Sequence, residues 1–485
     1  MLKNSRPRPI FFTHVVDRMS FLRPHILWLT VQLLGCAFVV AGEPVPASVE
    51  TKSVDPLLAA LPERNLPGLE ELMRVGLENG PTILMRRWEA EQSTQNARIA
   101  RSPMLPQASA WVNAGVIYEQ RKDDPVPTRT IEALLYNVGV SQPLYHWGAL
   151  SKGYEVGNLY RAISSRNLDE TRRLLAVDLR RRYFNLVIAT GALNLAQKNL
   201  ADLERELEFA KKQVADGFAA STESGTVDAK IISVRLDIQR LAGERDTLAR
   251  DFARITGVPV EKLPKPVAEL PALPPLDAAI KALSGEENGL PSIALQNLND
   301  YVQAEKLNYE IQKTRLRPKM GLSFSVNQDN RAPDTNQLGP KTIITSWNAF
   351  ATVNWAIFDG YSSQAAQKAA LARMRAYEAD RYQTARLDAD TRKANVEKLQ
   401  LLWRQLQESE KSLSGARGGV AAAEKDVAAG WAPSSAIDDA RRLSDASIQS
   451  TNMMRADFYT ALASYLSDRG LDPALQLAPR QAFNR

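Results

Sequence analysis

The sequence predicts an α+β fold with an internal two-fold repeat, in which each half is a β-hairpin followed by a long helical hairpin. Three markers recur at a fixed offset of 213 residues, namely residues 143–148 with 356–361, Gly217 with Gly430, and Gly257 with Gly470. Loops tolerate changes in length whereas rigid elements do not. The segments between the markers are therefore expected to be long helices whose lengths are fixed by geometry.

The helices are indicated by apolar residues spaced alternately three and four positions apart. This spacing runs through residues 193–214, 231–255 and 399–427. A pattern sustained over several heptads is typical of helices that pack by knobs into holes. The first long helix, from about Gly148 to Asp216, would be about 100 Å long at 1.5 Å per residue.

Gly217 and Gly430 are predicted to end the first helix of each helical hairpin, because both are followed by turns rich in Ser, Thr or Pro. Acidic side chains concentrate around both turns, at Asp216, Glu223, Asp228, Asp438 and Asp439. Two interpretations stay open. Acids are favoured at helix starts by capping and by the helix dipole. In an oligomer they would instead repeat around a constriction and favour cations, with Asp438 and Asp439 as the first candidates.

Upstream of each long helix the apolar period changes to two, which predicts strands. The four predicted strands cover about residues 107–118, 131–144, 319–328 and 346–358. One face of each is apolar and the other small or polar, as in a transmembrane barrel with a wet lumen or a soluble sheet with one buried face. Aromatic residues near the strand ends, such as Trp147, Trp347 and Trp355, are predicted to form an interfacial girdle and favour the membrane protein. Four strands cannot close a barrel, so several chains would have to share one.

Residues 1–41 are expected to be a signal peptide. Five basic side chains precede an apolar run from Ile26 to Ala41, and cleavage is predicted before Gly42. Cys36, the only cysteine, follows Leu-Leu-Gly as in a lipoprotein box, which leaves its lipidation as an alternative. The remaining predicted boundaries are an N-terminal arm at 42–67, the first repeat at 68–257, a Pro-rich linker at 258–291, the second repeat at 292–470 and a tail at 471–485.

The composition argues against other functions. Four of the six net positive charges lie in the predicted signal peptide, so nothing in the charge balance indicates nucleic-acid binding. Only one histidine, His146, follows that segment, which excludes a histidine metal site or a His-based triad there. No glycine-rich phosphate loop is present, so we expect neither an enzyme nor a cofactor. A basic cluster is interpreted as a solvated helix face in preference to a partner surface: Arg172, Arg173, Arg180, Arg181 and Arg182.

The order of these elements resembles the TolC family of outer-membrane efflux proteins over residues 68–470. The family's turn from membrane strand to periplasmic helix reads Pro-Leu-Phe-Asp-Gly-Gly. The matching residues are Pro143 and Gly148 in the first half, and Phe358, Asp359 and Gly360 in the second. The family's arginine-containing approach to each first strand, ending in proline, matches residues 97–106 and 314–318. Ala436 stands where the family usually has an aspartate, so the family's aperture residue is not matched directly.

The resemblance implies a homotrimer in which each chain gives four strands to one 12-stranded barrel and four helical strands to a periplasmic α-helical barrel. It implies an exit duct in the outer membrane for efflux or type I secretion, with a periplasmic adaptor (membrane fusion protein) and an inner-membrane pump as partners. Gly217, Phe218, Gly430 and Trp431 would contact the adaptor at the tips. Two alternatives remain, a periplasmic coiled-coil adaptor and a structural protein without channel activity.

Overall fold

The structure, a computed structural model, consists of long helices and one four-stranded sheet. It describes residues 55–66, 68–120, 128–216, 221–283, 291–329, 344–433 and 435–477. The predicted signal peptide with Cys36, and the tip residues Gly217 and Phe218, lie outside these ranges.

The elements alternate between strand pairs and helices. The helices are α1 (Asp55–Ala59), α2 (Leu69–Asn79), α3 (Pro81–Arg101), α4 (Ala149–Ala215), α5 (Ser221–Thr256), α6 (Asp277–Ala282), α7 (Ile293–Lys313), α8 (Ser362–Ala428), α9 (Ser435–Asp468) and α10 (Ala474–Leu477). The strands are β1 (Gln107–Gln120), β2 (Thr128–Tyr145), β3 (Lys319–Asp329) and β4 (Ile344–Asn354). Short 3-10 turns lie at Pro62–Asn65, Ser102–Met104 and Val260–Lys262.

The two longest helices, α4 and α8, have the same length. Each contains 67 residues, which corresponds to about 100 Å, and their first residues are 213 positions apart, like the sequence markers. Both follow a pair of residues with positive φ, Trp147 (57°) and Gly148 (76°) before α4, and Gly360 (63°) and Tyr361 (65°) before α8. The backbone therefore enters both long helices through the same left-handed turn, with glycine at one of its two positions in each half.

The sheet is antiparallel in the order β1-β2-β3-β4, so β1 and β4 form its edges. The register places the apolar positions of neighbouring strands opposite one another. Pairs on the apolar face are Val112 with Tyr136, Val138 with Val326, and Val326 with Trp347. On the other face Ser325 pairs with Gly139 and with Asn348. One surface of the sheet is consequently apolar, and the opposite surface is mainly small and polar. β4 ends at Asn354, four residues before the predicted strand end at 358, although apolar residues continue at every second position to Ile357.

The main hydrophobic core lies near the middle of α4. Tyr183 and Phe184 of α4 pack against Phe252 of α5 and Tyr459 of α9, and α2 adds buried side chains such as Met73. A second cluster joins α8 and α9 to α1 and α6, centred on Trp403 of α8. The short helices are thus held against the middle of the long ones. Among the helices that the structure describes, none is both long and apolar enough to cross a lipid bilayer.

The interpretation of the arginine cluster as a solvated face is wrong for Arg180, which is completely buried. Its guanidinium donates two hydrogen bonds of 2.6 Å to Asp472 and one of 2.5 Å to Glu63. Burial by itself lowers the pKa of Arg180, but hydrogen bonds and charge from both carboxylates outweigh it and raise that pKa. Arg180 is buried because these two acids, from distant parts of the chain, neutralise it. The neighbouring Arg181 is exposed and pairs with Asp178 within α4.

Candidate functional site

The second helical tip is defined by Gly430, which ends α8. Its φ is 77°, its amide donates to Val427 O at 3.0 Å, and the amide of Trp431 donates to Asp426 O at 2.9 Å. This pair of hydrogen bonds is the Schellman motif, whose left-handed position favours glycine because other residues have a Cβ there. The indole of Trp431 follows immediately and is 84% exposed. The tip therefore presents an aromatic side chain to its surroundings.

Asp438 and Asp439 lie in the first turns of α9 and are both exposed. Asp439 accepts a hydrogen bond of 2.6 Å from Arg442, one turn further along the same helix. The side chain of Asp438 makes no hydrogen bond or ion pair with any other residue in the described part of the chain. Neighbouring helical side chains point about 100° apart, so the two acids face different directions. Asp438 is the acid of this tip whose charge is less compensated.

The first tip is described in part. Asp216 follows the last residue of α4, and its amide donates to Lys212 O at 2.9 Å. Asp228 is exposed on α5, and Glu223 lies in α5, although its side chain is not among the described ones. The acids of the two tips belong to different hairpins, and among the described ones only Asp439 has an ion-pair partner.

Exposed ion pairs join the helices of each hairpin, and in the first hairpin a small apolar cluster of Leu203, Val227 and Ile231 adds to them. Arg235 and Glu204 link α5 to α4 at 2.8 Å, and Arg441 and Glu424 link α9 to α8 at 3.1 Å. Between the two hairpins, Lys198 lies 3.7 Å from Asp445. Exposed pairs of this kind contribute about 0–1 kcal/mol each. These pairs add little to the contact between the helices, whereas the main apolar cluster lies near the middle of α4.

The junction between sheet and helices is held by two indoles. Trp147 Nε1 donates to Pro318 O at 2.7 Å, and Trp355 Nε1 donates to Leu316 O at 3.0 Å. Both acceptors belong to the connector between α7 and β3. Sequence reasoning assigned these tryptophans to an interfacial girdle and missed their second role, because no local pattern reveals a hydrogen bond to a distant carbonyl.

Of the predicted turn residues, Asp359 has the clearest structural role. It accepts hydrogen bonds from the amide of Ser363, at 2.9 Å, and from the hydroxyl of the same residue. The side-chain hydrogen bond is the main reason that the pKa of Asp359 is lowered. Phe358 packs edge-on against Tyr361 with ring centres 5.4 Å apart. These contacts fix the direction in which α8 leaves the sheet.

The apolar face of the sheet is open to the outside in the single chain. Val138 is 49% exposed, Phe324 45% and Trp347 71%. A contiguous exposed apolar surface of this kind marks an interface with lipid or protein, and strands with an apolar outer face flanked by aromatic residues are typical of outer-membrane barrels.

Residues 72–258 and 292–464 match the model of the outer membrane efflux protein family. The chain belongs to this family. The match confirms the resemblance to the TolC family, and it favours an outer-membrane efflux channel over a periplasmic adaptor. The protein is accordingly placed in the outer membrane, with its long helices as the periplasmic extension.

Solved structures share the fold. The Campylobacter jejuni CmeC outer membrane channel is 12% identical, with a TM-score of 0.70 over 86% of this chain and 91% of CmeC. The outer membrane protein VceC from Vibrio cholerae is 13% identical, with a TM-score of 0.66 over 84% and 98%. The open state of the Neisseria gonorrhoeae MtrE outer membrane channel is 16% identical, with a TM-score of 0.62 over 88% and 94%. A comparison with curated protein sequences finds no match.

Proposed function

We propose that three copies of this chain assemble into one 12-stranded barrel that continues into a helical tube, and that this trimer is the passive exit duct of a tripartite efflux or type I secretion system. One observation carries the proposal. The sheet has an exposed apolar face and two edge strands, β1 and β4, and each of its hairpins leads into a helix of 67 residues. Four strands are too few to enclose a lumen, whereas twelve leave an aqueous channel.

In the proposed tube, each chain supplies four helical strands to the wall. Near its start, α4 contacts α3, as at Gly157 beside Ala97. The C-terminal half of α4 pairs with α5. On α8, Arg373 pairs with Glu305 of α7 at 3.0 Å and Arg441 of α9 pairs with Glu424. Each long helix is thus flanked by two shorter ones placed end to end. The two halves would take equivalent places in the wall of the tube.

Proteins of this family work with a periplasmic adaptor and an inner-membrane pump. We place the adaptor contact at the tips, at Gly217, Phe218, Gly430 and Trp431, because α4 and α8 end there about 100 Å from the sheet. The exposed indole of Trp431 is the described side chain best suited to such a contact. A cross-linker attached at Trp431→Cys should capture the adaptor, and one attached at Ala149→Cys should not.

The first expected result is that the purified protein is a trimer and conducts ions across a planar bilayer. The reason is that the edge strands of one chain need partners before the barrel can close. Chemical cross-linking in mild detergent and single-channel recording measure the two properties. A protein that yields only monomers and dimers, or trimers without conductance, would contradict the proposed duct.

A second expected result concerns the narrowest point, which we place at the tip acids. Asp438→Ala should reduce the preference of the channel for cations, and its block by multivalent cations, because a threefold ring of charge disappears. Asp439→Ala is the matched control and should have a smaller effect, since Arg442 already compensates Asp439. Reversal potentials in a salt gradient measure the preference. Unchanged selectivity in both variants would leave these acids as helix-start residues and make Glu223 the next candidate.

A further inference from the structure

Three basic side chains occur at every second position where the chain passes from α7 into β3. Arg315, Arg317 and Lys319 line a cavity of about 310 Å³, together with Asn354, Trp355 and Ala356 of the segment that ends β4. Arg315 and Arg317 are exposed, and Lys319 is half-buried. The family's channel function assigns no role to this pocket.

The backbone that carries these cations is held in place. The carbonyls of Leu316 and Pro318, which alternate with the basic residues, accept the hydrogen bonds from the indoles of Trp355 and Trp147. In addition, the guanidinium of Arg317 lies over the ring of Trp147, 5.0 Å from its centre. The cations therefore project from a fixed segment between two tryptophans, so that little ordering is needed before a ligand binds.

The positive charge of the pocket is only partly neutralised. Arg315 Nε lies 3.9 Å from Asp359 Oδ2, at the outer limit of an ion pair, and that oxygen already accepts two hydrogen bonds from Ser363. Arg317 and Lys319 have no ion pair with any acid in the described parts of the chain. Three cations thus face one engaged carboxylate, which leaves the pocket able to bind an anion.

The position of the pocket indicates which anion it meets. Trp355 continues the apolar side of β4, on which Trp347 and Val353 lie, and it is 60% exposed. Ile357 and Phe358 follow and are 77% and 70% exposed. The pocket therefore lies at the helical end of the sheet, with Trp355 on the apolar side and Lys319 and Asn354 on the polar side that carries Ser325 and Asn348. Aromatic and basic side chains at such a boundary lie at the level of lipid headgroups.

We propose that Arg315 and Arg317, with Trp355 beside them, bind the phosphate of an anionic phospholipid in the periplasmic leaflet of the outer membrane. Guanidinium groups suit this role because their planar donors match phosphate oxygens in pairs. The indole of Trp355 lies against the glycerol and upper acyl region. The proposal rests on the proposed function, since it requires the barrel to cross the membrane with its helices on the periplasmic side.

The test uses the purified full-length trimer in a neutral detergent. Binding of phosphatidylglycerol, of phosphatidylcholine and of inorganic phosphate is measured by native mass spectrometry and by the shift in unfolding temperature. We expect phosphatidylglycerol to bind more tightly than phosphatidylcholine, and inorganic phosphate at equal concentration not to displace it. The double variant Arg315→Gln/Arg317→Gln should weaken phosphatidylglycerol binding by about tenfold or more, because basic groups at a membrane surface act roughly additively.

The matched control is Arg381→Gln/Arg386→Gln, which removes two exposed cations from α8 away from the junction. This variant should bind phosphatidylglycerol like the unmodified protein. Equal losses in both double variants, equal affinity for the two lipids, or displacement by inorganic phosphate would each overturn the lipid site. Trimer formation and conductance are recorded on the same samples. A conducting trimer without lipid preference refutes only this site, whereas the absence of a trimer refutes the proposed function.

Discussion

Replacing Arg180 by methionine is expected to lower the free energy of unfolding by about 3–5 kcal/mol, the usual cost of removing one member of a buried charge cluster. The reason is that Asp472, whose side chain is completely buried, and Glu63, whose side chain is 11% exposed, lose their common partner. Two carboxylates without a counter-charge then remain in an apolar environment. Thermal or denaturant unfolding, followed by the helical circular dichroism signal, measures the change.

Two further variants make this result specific. Arg181→Met removes the adjacent positive charge, which is 58% exposed and paired only with Asp178 among its described neighbours, and should cost less than about 1 kcal/mol. Combining Arg180→Met with Glu63→Leu and Asp472→Leu should recover most of the lost stability, because an apolar cluster of similar volume can replace a buried ion cluster. Equal effects of Arg180→Met and Arg181→Met would show that the buried cluster does not stabilise the chain.

The cluster matters for the whole molecule because it joins three distant segments. Glu63 belongs to a turn before α2, Arg180 to the middle of α4, and Asp472 to the segment before α10. Both ends of the described chain are therefore fastened to the centre of a long helix. Nearer the first tip, α4 and α5 are joined by the exposed pair of Arg235 with Glu204 and by the small apolar cluster of Leu203, Val227 and Ile231.

The long helices and the sheet could be predicted from the sequence because both follow from periodicity. The start and end of α4 and α8 agree with the 213-residue offset, since a helix of fixed length tolerates neither insertion nor deletion. The alternation in each strand indicated which residues share a face, and the register places those faces together, as at Val138 and Val326. Such patterns lie within one element and need no knowledge of its neighbours.

The role of Arg180 could not be predicted, because it depends on a residue 292 positions away in the sequence. A run of arginines on a helix looks the same whether it faces water or a buried carboxylate. The same holds for Trp147, whose hydrogen bond reaches 171 positions along the chain. The pairing of Asp439 with Arg442 is different, because both lie on one helix three residues apart. Local spacing alone could have identified it.

Phe324→Lys is expected to have the largest effect on assembly. Phe324 lies in the middle of β3 on the apolar face, where it pairs with Val140 and Ala349. A lysine on the lipid face of a transmembrane strand costs about 2–4 kcal/mol near the bilayer midplane, and the cost recurs three times in a trimer. We expect the variant to yield little heat-resistant trimer in outer-membrane fractions and little conductance. Gel mobility without boiling and planar-bilayer recording measure the two losses.

The adjacent variant Ser325→Lys provides the decisive comparison, because Ser325 lies on the opposite face, between Gly139 and Asn348. In a barrel with a wet lumen that lysine projects into water, so trimer yield should be close to normal and only conductance and selectivity should change. Phe324→Leu separates the two effects of the first substitution, since it reduces the side chain without adding charge, and it should assemble. If the sheet were instead a soluble one with a buried apolar face, none of the three variants would alter the amount of protein in the outer membrane. Normal assembly of Phe324→Lys would therefore overturn the transmembrane barrel, whereas failure of Phe324→Lys alone would establish which face of the sheet meets lipid.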